Sequence, residues 1–310
     1  MISRRQFIRT AAQLGIATGL YPSLVRGQAS LPERAIPNSG ERVPIIALGT
    51  YRTFDVSPTS AALAPLRRVT ETFMEHGGRV VDSSPQYGPS EAAFGDVLRQ
   101  IPNAPDLFVA TKVATEGREA GIRQMEASPR KMAVDSIDLM QIHNLRDWRT
   151  HLPTLRAWKA EGTIRYLGIS ASRETLYDEY IAIMRNEPLD FIQINYSVAE
   201  RRSEEVILPL ALERNIAVLI NRPFVAGALF PYVRDRSLPD WAADFDCRSW
   251  AQFFLKYVLG HPAVTAVIQA TTDIEHLLDN MAAAYGRMPD EATRTRMAGL
   301  IGLTGRPPWD

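Results

Sequence analysis

Four side chains in the first half of this sequence could together move a proton onto an oxygen: Asp82, Tyr87, Lys112 and His143. Asp82 closes the apolar pair Val80 and Val81, Lys112 follows "FVAT", and His143 follows "DLMQI". Tyr87 lies in the same stretch as Asp82, "VVDSSPQYGPSE" (80–91), in a loop punctuated by Pro85, Gly88 and Pro89. Taken singly, each of the four reads more readily as a structural residue, a strand cap, a turn residue or a hydrogen-bonded side chain. As a set they suit proton transfer to a carbonyl oxygen while hydride reaches the carbon. A tyrosine is a poor acid near neutrality, and a neighbouring ammonium, here Lys112, would stabilise the phenolate and draw its pKa toward the working range. Asp82 would balance the lysine charge. His143 would hydrogen-bond the carbonyl and stabilise negative charge growing on its oxygen.

These residues can meet only if the strands that carry them end side by side. Apolar runs of strand length occur at 44–49, 79–83, 107–113, 137–143, 164–170, 190–196, 215–221 and 264–270. Segments of helical periodicity lie between them, among them 61–76, 152–161, 172–186, 204–214 and 248–259. Eight such alternations predict a (β/α)8 TIM barrel, whose strands all open on one face, where the loops build the active site. Near-continuous apolar strands fit a sheet covered on both sides. A doubly wound open sheet is the competing fold, but the first strand lacks the G-x-G-x-x-G turn by which that fold holds a dinucleotide. With 310 residues and no low-complexity linker, the chain is read as a signal over 1–29 and one barrel domain over 30–310.

Composition narrows the function classes. Apolar residues make up 45% of the chain and charged residues 23%, with 35 basic and 35 acidic side chains and no net charge. That is globular usage, and the balance gives no electrostatic reason to expect nucleic acid. The single cysteine, Cys247, cannot form an internal disulfide and has no paired histidine motif, so it reads as a packed side chain. A secreted hydrolase would want two carboxylates at strand ends, and that pair is missing.

The N-terminus reads as an address. Arg4, Arg5 and Arg9 precede an apolar run from Ala11 to Leu20, the order of a bacterial export signal. "SRRQFIR" resembles the twin-arginine export motif, and Gly27 and Ala29 predict cleavage after Ala29. The run is too short for a membrane span, so the expectation is an exported, periplasmic protein that meets the twin-arginine machinery and keeps no permanent membrane anchor.

Asp82, Tyr87, Lys112 and His143 resemble the catalytic pattern of the aldo/keto reductases. The likeness extends through "IPNSGERVPIIALGTY" (36–51), which resembles that family's barrel-bottom hairpin and first strand, then "EGTIRYLGIS" and "VIQATTDIEHLLDN". It implies a nicotinamide dinucleotide lying extended across the barrel mouth and reduction of aldehyde or ketone carbonyls, with Tyr87 as proton donor. By the same resemblance Ser170 and Gln193 hold the nicotinamide carboxamide. Thr50, Tyr51, Asp82, Asn221, Arg222 and Phe224 line the cofactor, and Thr271, Asp279 and Asn280 take its phosphate and adenine end.

The chain departs from the family pattern at several of these positions. Ser170 is followed by Ala171 where the family has asparagine, and Asn221 stands where an aromatic often stacks. Ala270 and His276 replace the lysine and arginine that commonly grip the 2′-phosphate, and neither is a fixed cation. NADP(H) is therefore expected over NAD(H) by less than about 30-fold, or about 2 kcal/mol. Arg222 could reach the pyrophosphate or pair with a carboxylate, and Arg234 is a second candidate cation. Tyr51, Trp148 and Trp241 are candidates for the pocket wall, and 222–247 for a lid. A dinucleotide-binding sensor of the same family, with little turnover, is the alternative.

Overall fold

The computed structural model describes residues 30–57 and 61–302. The twin-arginine motif and its cleavage point lie outside the described residues. The chain enters through a hairpin, β1 (Glu33–Ala35) and β2 (Arg42–Pro44), paired antiparallel. Eight parallel strands follow: β3 (Ile46–Gly49), β4 (Val80–Asp82), β5 (Phe108–Val113), β6 (Ile137–His143), β7 (Ile164–Ala171), β8 (Phe191–Asn195), β9 (Ala217–Asn221) and β10 (Ala266–Gln269). They close in sequence order, with β10 pairing back onto β3. The barrel and its single domain match the sequence expectation. The first expected strand, 44–49, is in fact split between β2 and β3, because its first residue belongs to the hairpin.

Around the barrel run α1 (Leu63–Glu75), α2 (Ser90–Leu98), α3 (Arg118–Met132), α4 (Trp148–Ala160), α5 (Tyr177–Asn186), α6 (Ile207–Glu213), α7 (Leu229–Val233), α8 (Trp250–Leu259), α9 (Ile274–Ala282) and α10 (Glu291–Ile301). Periodicity does not single out α2 or α3. The buried stripe of α3 is Gly121, Met125, Ser128 and Met132, helically spaced but half small or polar, and Pro129 interrupts it.

Two layers of packing explain why the strands look apolar throughout. One face of each strand meets the helices, and the other fills the barrel. The lower interior holds Val80, Phe108, Ala110, Leu139, Tyr166, Phe191, Leu219 and Ile268. Phe108, Tyr166 and Phe191 stack against one another with centroids 5.5–5.9 Å apart. Gly168 makes room for them, since a Cβ there would sit 2.7 Å from the Phe191 carbonyl oxygen. Ile36 and Val43 of the hairpin plug the bottom, and the Tyr166 hydroxyl is tied to Ser39 and Glu41. Side chains alternate along each strand, so the inward row that is apolar below continues upward into Asp82, Lys112, Gln141, His143, Ser170 and Gln193. The barrel is filled with oil at one end and with polar groups at the other.

The segment 222–247, expected to be a structureless lid, is instead folded. It contains short 3-10 turns over Val225–Gly227 and Asp240–Phe245 and the helix α7. Val225, Leu229, Val233, Ala242 and Phe245 are buried in the main core. Their apolar spacing holds the segment to the barrel.

Candidate active site

Pairing register brings the expected residues to one mouth. Asp82 pairs with Ala110 and Lys112 with Gln141, while His143, Ser170 and Gln193 lie in one row across β6, β7 and β8. Beyond Asp82 the chain turns sharply, with the Tyr87 N–H donating to the Ser84 carbonyl. Gly88 then takes a left-handed φ of +58°, and a Cβ there would stand 2.2 Å from an Asp55 carboxylate oxygen. This turn, with the start of α2 at Ser90 just after it, aims Tyr87 back over the strand ends.

The lysine is buried and fully coordinated. Its Nζ lies 2.7 and 2.8 Å from the two Asp82 oxygens and 2.8 Å from the Ser83 carbonyl oxygen. An ammonium has three protons, so all three are used. Gln193 Nε2 donates to Asp82 Oδ2 at 3.1 Å and Gln141 Nε2 to Oδ1 at 3.4 Å. The carboxylate is thereby held from three strands. Burial lowers the Lys112 pKa, while Asp82 and then Glu91 oppose that shift.

Tyr87 differs from the sequence expectation in the direction of its shift. Burial, the charge of Asp82 and the adjacent Tyr51 raise its phenol well above the ordinary value. The main physical reason is burial of the phenol, to which the Asp82 charge adds; the three Lys112 protons point to Asp82 and Ser83 and not to the phenol oxygen. The ammonium still stands 5.4 Å from the Tyr87 ring centroid. Tyr87 is therefore a protonated donor across the neutral range. Its ring meets His143 edge-on at 5.7 Å and Tyr51 at 4.9 Å. Burial and the positive charge of Lys112 push the His143 imidazole down to about 3, so it is neutral. Its Nδ1 lies 2.9 Å from Ser84 Oγ.

On the catalytic side, two positions escape the sequence reading. Gln141 could have been found from its spacing, since it sits two residues before His143 on the same inward face. Ser84 carries no such signal, because turn serines are common.

The expected cofactor residues divide into two groups. Thr50, Ser170, Gln193 and Asn221 sit at or just beyond strand ends around the mouth, with Thr50 Oγ1 donating to Ser83 Oγ at 2.8 Å. The buried oxygens Gln141 Oε1, Gln193 Oε1, Asn195 Oδ1 and Asn221 Oδ1 make no hydrogen bond within the described residues. Buried acceptors of this kind are costly unless a ligand donor satisfies them. An amide N–H2 and ribose hydroxyls are such donors, so these residues fit a nicotinamide nucleoside. Asn195, whose Nδ2 donates to the Ser172 carbonyl, belongs to this set although the sequence reading passes over it.

The second group is bound up in the fold. Asp279 accepts from Ser249 Oγ and Gln252 Nε2, both at 2.6 Å, tying α9 to the start of α8. Asn280 Nδ2 donates to Gln269 Oε1 at 3.1 Å. Thr271 Oγ1 accepts the Asp273 N–H at 3.1 Å in the turn that starts α9. Arg222 lies 3.9 Å from Glu200 and has a φ of +54°, the carboxylate-paired arrangement of its two expected ones. Phe224 packs on Phe230, and Arg234, Ala270 and His276 are exposed. Tyr51 joins the site through Tyr87. Trp148 donates to Glu179, and Trp241 packs on Phe245, Phe253 and Arg296 in the helical layer. Among the described residues no cluster of three metal-ligating side chains occurs.

Comparison with known proteins gives the family and the fold. A profile of the Aldo/keto reductase family matches residues 45–295. An aldo-keto reductase of Mycolicibacterium vanbaalenii is 32% identical over 286 residues, covering 89% of this chain and 93% of that protein. The methylglyoxal reductase YeaE of Escherichia coli is 25% identical, over 81% of this chain and 89% of its own length. An aldo/keto reductase of Klebsiella pneumoniae, solved with NADP and acetate, has the same fold with a TM-score of 0.71 at 23% identity, covering 88% of this chain and 97% of that one. The chain belongs to the aldo/keto reductase family of oxidoreductases.

Proposed function

We propose that this chain reduces aldehyde or ketone carbonyls to alcohols, using a nicotinamide dinucleotide. The observation that carries the proposal is the saturated Lys112–Asp82 pair, with a protonated Tyr87 and a neutral His143 packed edge-on above it. The dinucleotide, when bound, supplies the hydride that becomes the new C–H bond. Tyr87 gives its hydroxyl proton to the carbonyl oxygen, so that one hydride and one proton convert C=O to CH–OH. His143 donates a hydrogen bond to the same oxygen, orienting the substrate and stabilising charge that develops there. Lys112 and Asp82 hold the floor of the site and fix the field around the phenol. Because the site is built from one buried ion pair, it needs no reorganisation as charge moves.

Gln193, Asn195, Asn221 and Ser170 would hold the nicotinamide end. NADP(H) is the favoured dinucleotide by family resemblance, and the margin is small because the exposed Ala270 offers the 2′-phosphate no cation. The name of the Escherichia coli relative points to small reactive carbonyls such as methylglyoxal as a substrate class to try first. The twin-arginine-like "SRRQFIR" supports export of the folded protein to the periplasm. Replacing Arg4 and Arg5 with lysine is expected to retain it in the cytoplasm, and undiminished export would refute that part.

Purified protein mixed with NADPH or NADH and a panel containing methylglyoxal and 4-nitrobenzaldehyde tests the main proposal. Carbonyl-dependent loss of reduced-nucleotide absorbance is expected. Tight nucleotide binding without turnover would identify a sensor instead.

A further inference from the structure

We propose that Ser84 is a positioning residue that sets the tautomer of His143, keeping Nδ1 unprotonated so that Nε2 carries the proton offered to the substrate. The inference rests on the reductase reading, in which His143 must donate and not accept.

A neutral imidazole has one N–H and two nitrogens, and which nitrogen bears the proton is set by the bond the other one makes. His143 is confined to the neutral form by its buried position and by the Lys112 ammonium on the adjacent strand. The choice then falls to the partner of Nδ1, and that partner is Ser84 Oγ at 2.9 Å. Ser84 is fully buried, so its hydroxyl proton cannot be left to solvent and needs an acceptor. Its oxygen already receives the Gln86 N–H at 3.2 Å. Among the described residues the remaining hydrogen bond of this hydroxyl is the one to His143 Nδ1. The hydroxyl therefore donates, Nδ1 accepts, and the ring proton is on Nε2. The opposite tautomer would turn an N–H toward Ser84 and strand the serine proton in a dry site. Ser84 also sits on the turn that carries Tyr87, so one segment positions the proton donor and orients the hydrogen-bond donor beside it.

The test is nitrogen NMR at pH 7 on protein labelled in its histidine side chains, with His143 assigned by loss of its signals in His143→Asn. The expected result is a protonated Nε2 and a bare, hydrogen-bonded Nδ1 in the unsubstituted protein. Ser84→Ala should lose the hydrogen-bonded Nδ1 signature and lower kcat by about 10- to 100-fold, the range seen when a partner that orients a metal-bound histidine is removed, with dinucleotide affinity unchanged. Ser84→Thr, which keeps the hydroxyl, should restore both. A protonated Nδ1 in the unsubstituted protein would overturn the proposal, as would a Ser84→Ala variant with the same Nδ1 signal and the same turnover. The spectra need no substrate, so failure of the tautomer assignment and failure of the reductase reading are distinguishable.

Discussion

On the side of the mouth formed by β4, β5 and β6, the reactive groups are tied to one another: Lys112 to Asp82 and Ser83, His143 to Ser84. On the side formed by β8 and β9, the amide oxygens of Gln193, Asn195 and Asn221 are buried with no partner among the described residues. Apart from the Gln141 oxygen on β6, the first side has its ion pair and its histidine contact in place before anything binds, while the second has several acceptors waiting for donors. A site that must stabilise moving charge gains from dipoles fixed in advance. A site that must hold and release a ligand gains from groups whose hydrogen bonds the ligand itself completes. The two sides share one residue, Gln193, which gives its N–H to Asp82 and keeps its oxygen for the ligand.

Breaking the first side should have the largest effect. Lys112→Met leaves Asp82 as a buried charge without its counter-ion, and such a break typically costs about 3–5 kcal/mol. Urea unfolding should show that loss, and turnover should fall by about two to four orders of magnitude. If the variant unfolds at the midpoint of the unsubstituted protein, the ion pair is not what holds the floor of the site.

A second prediction uses pH. His143 is pushed down to about 3, and His261 to about 4 by burial and then by Arg294 and Arg34. In the unfolded chain each protonates near 6.5. Between those values the unfolded chain binds more protons, so the stabilisation is complete above about 6.5 and is lost as pH falls toward the folded values. Between pH 7 and pH 5 His143 should remove on the order of 2 kcal/mol, and the less deeply buried His261 a smaller amount. Unfolding free energies at the two pH values check this, and His143→Asn should show the shallower slope. A slope unchanged by that substitution would place the neutral state of His143 in doubt.

The ligand-facing side should respond in the opposite sense. Asn221→Leu removes a buried unpartnered acceptor, so stability should hold or rise, while dinucleotide affinity falls by about 5- to 10-fold, the size of one ordinary hydrogen bond. Nucleotide fluorescence titration and thermal unfolding on the same sample separate the two effects. The smallest change is expected from Ala270→Lys. At this exposed position a new cation should raise discrimination for NADPH over NADH only by about three- to fivefold, or about 1 kcal/mol.

The same contrast explains what the sequence made legible. The barrel could be read because strands buried on two faces are apolar runs and helices are not. Asp82, Lys112 and His143 could be read because each interrupts such a run at its end. The direction of the Tyr87 shift could not, since it depends on how deeply the phenol is buried and on how near Asp82 stands, a matter of distances. Nor could the internal role of Asp279, whose partners Ser249 and Gln252 lie on another helix. The segment 222–247 looked loose because its apolar residues are spread among Pro, Gly and Asp. Only its packing shows that Leu229, Val233 and Phe245 are core.

In the proposed reaction Tyr87 supplies the proton while other residues hold the dinucleotide. Tyr87→Phe keeps the ring that packs on His143 and Tyr51 and deletes only the hydroxyl. Dinucleotide affinity and the rate of carbonyl reduction should be measured side by side for this variant and the unsubstituted protein. Affinity is expected within about twofold and the rate lower by about two to four orders of magnitude; an unchanged rate would remove Tyr87 from its role as proton donor.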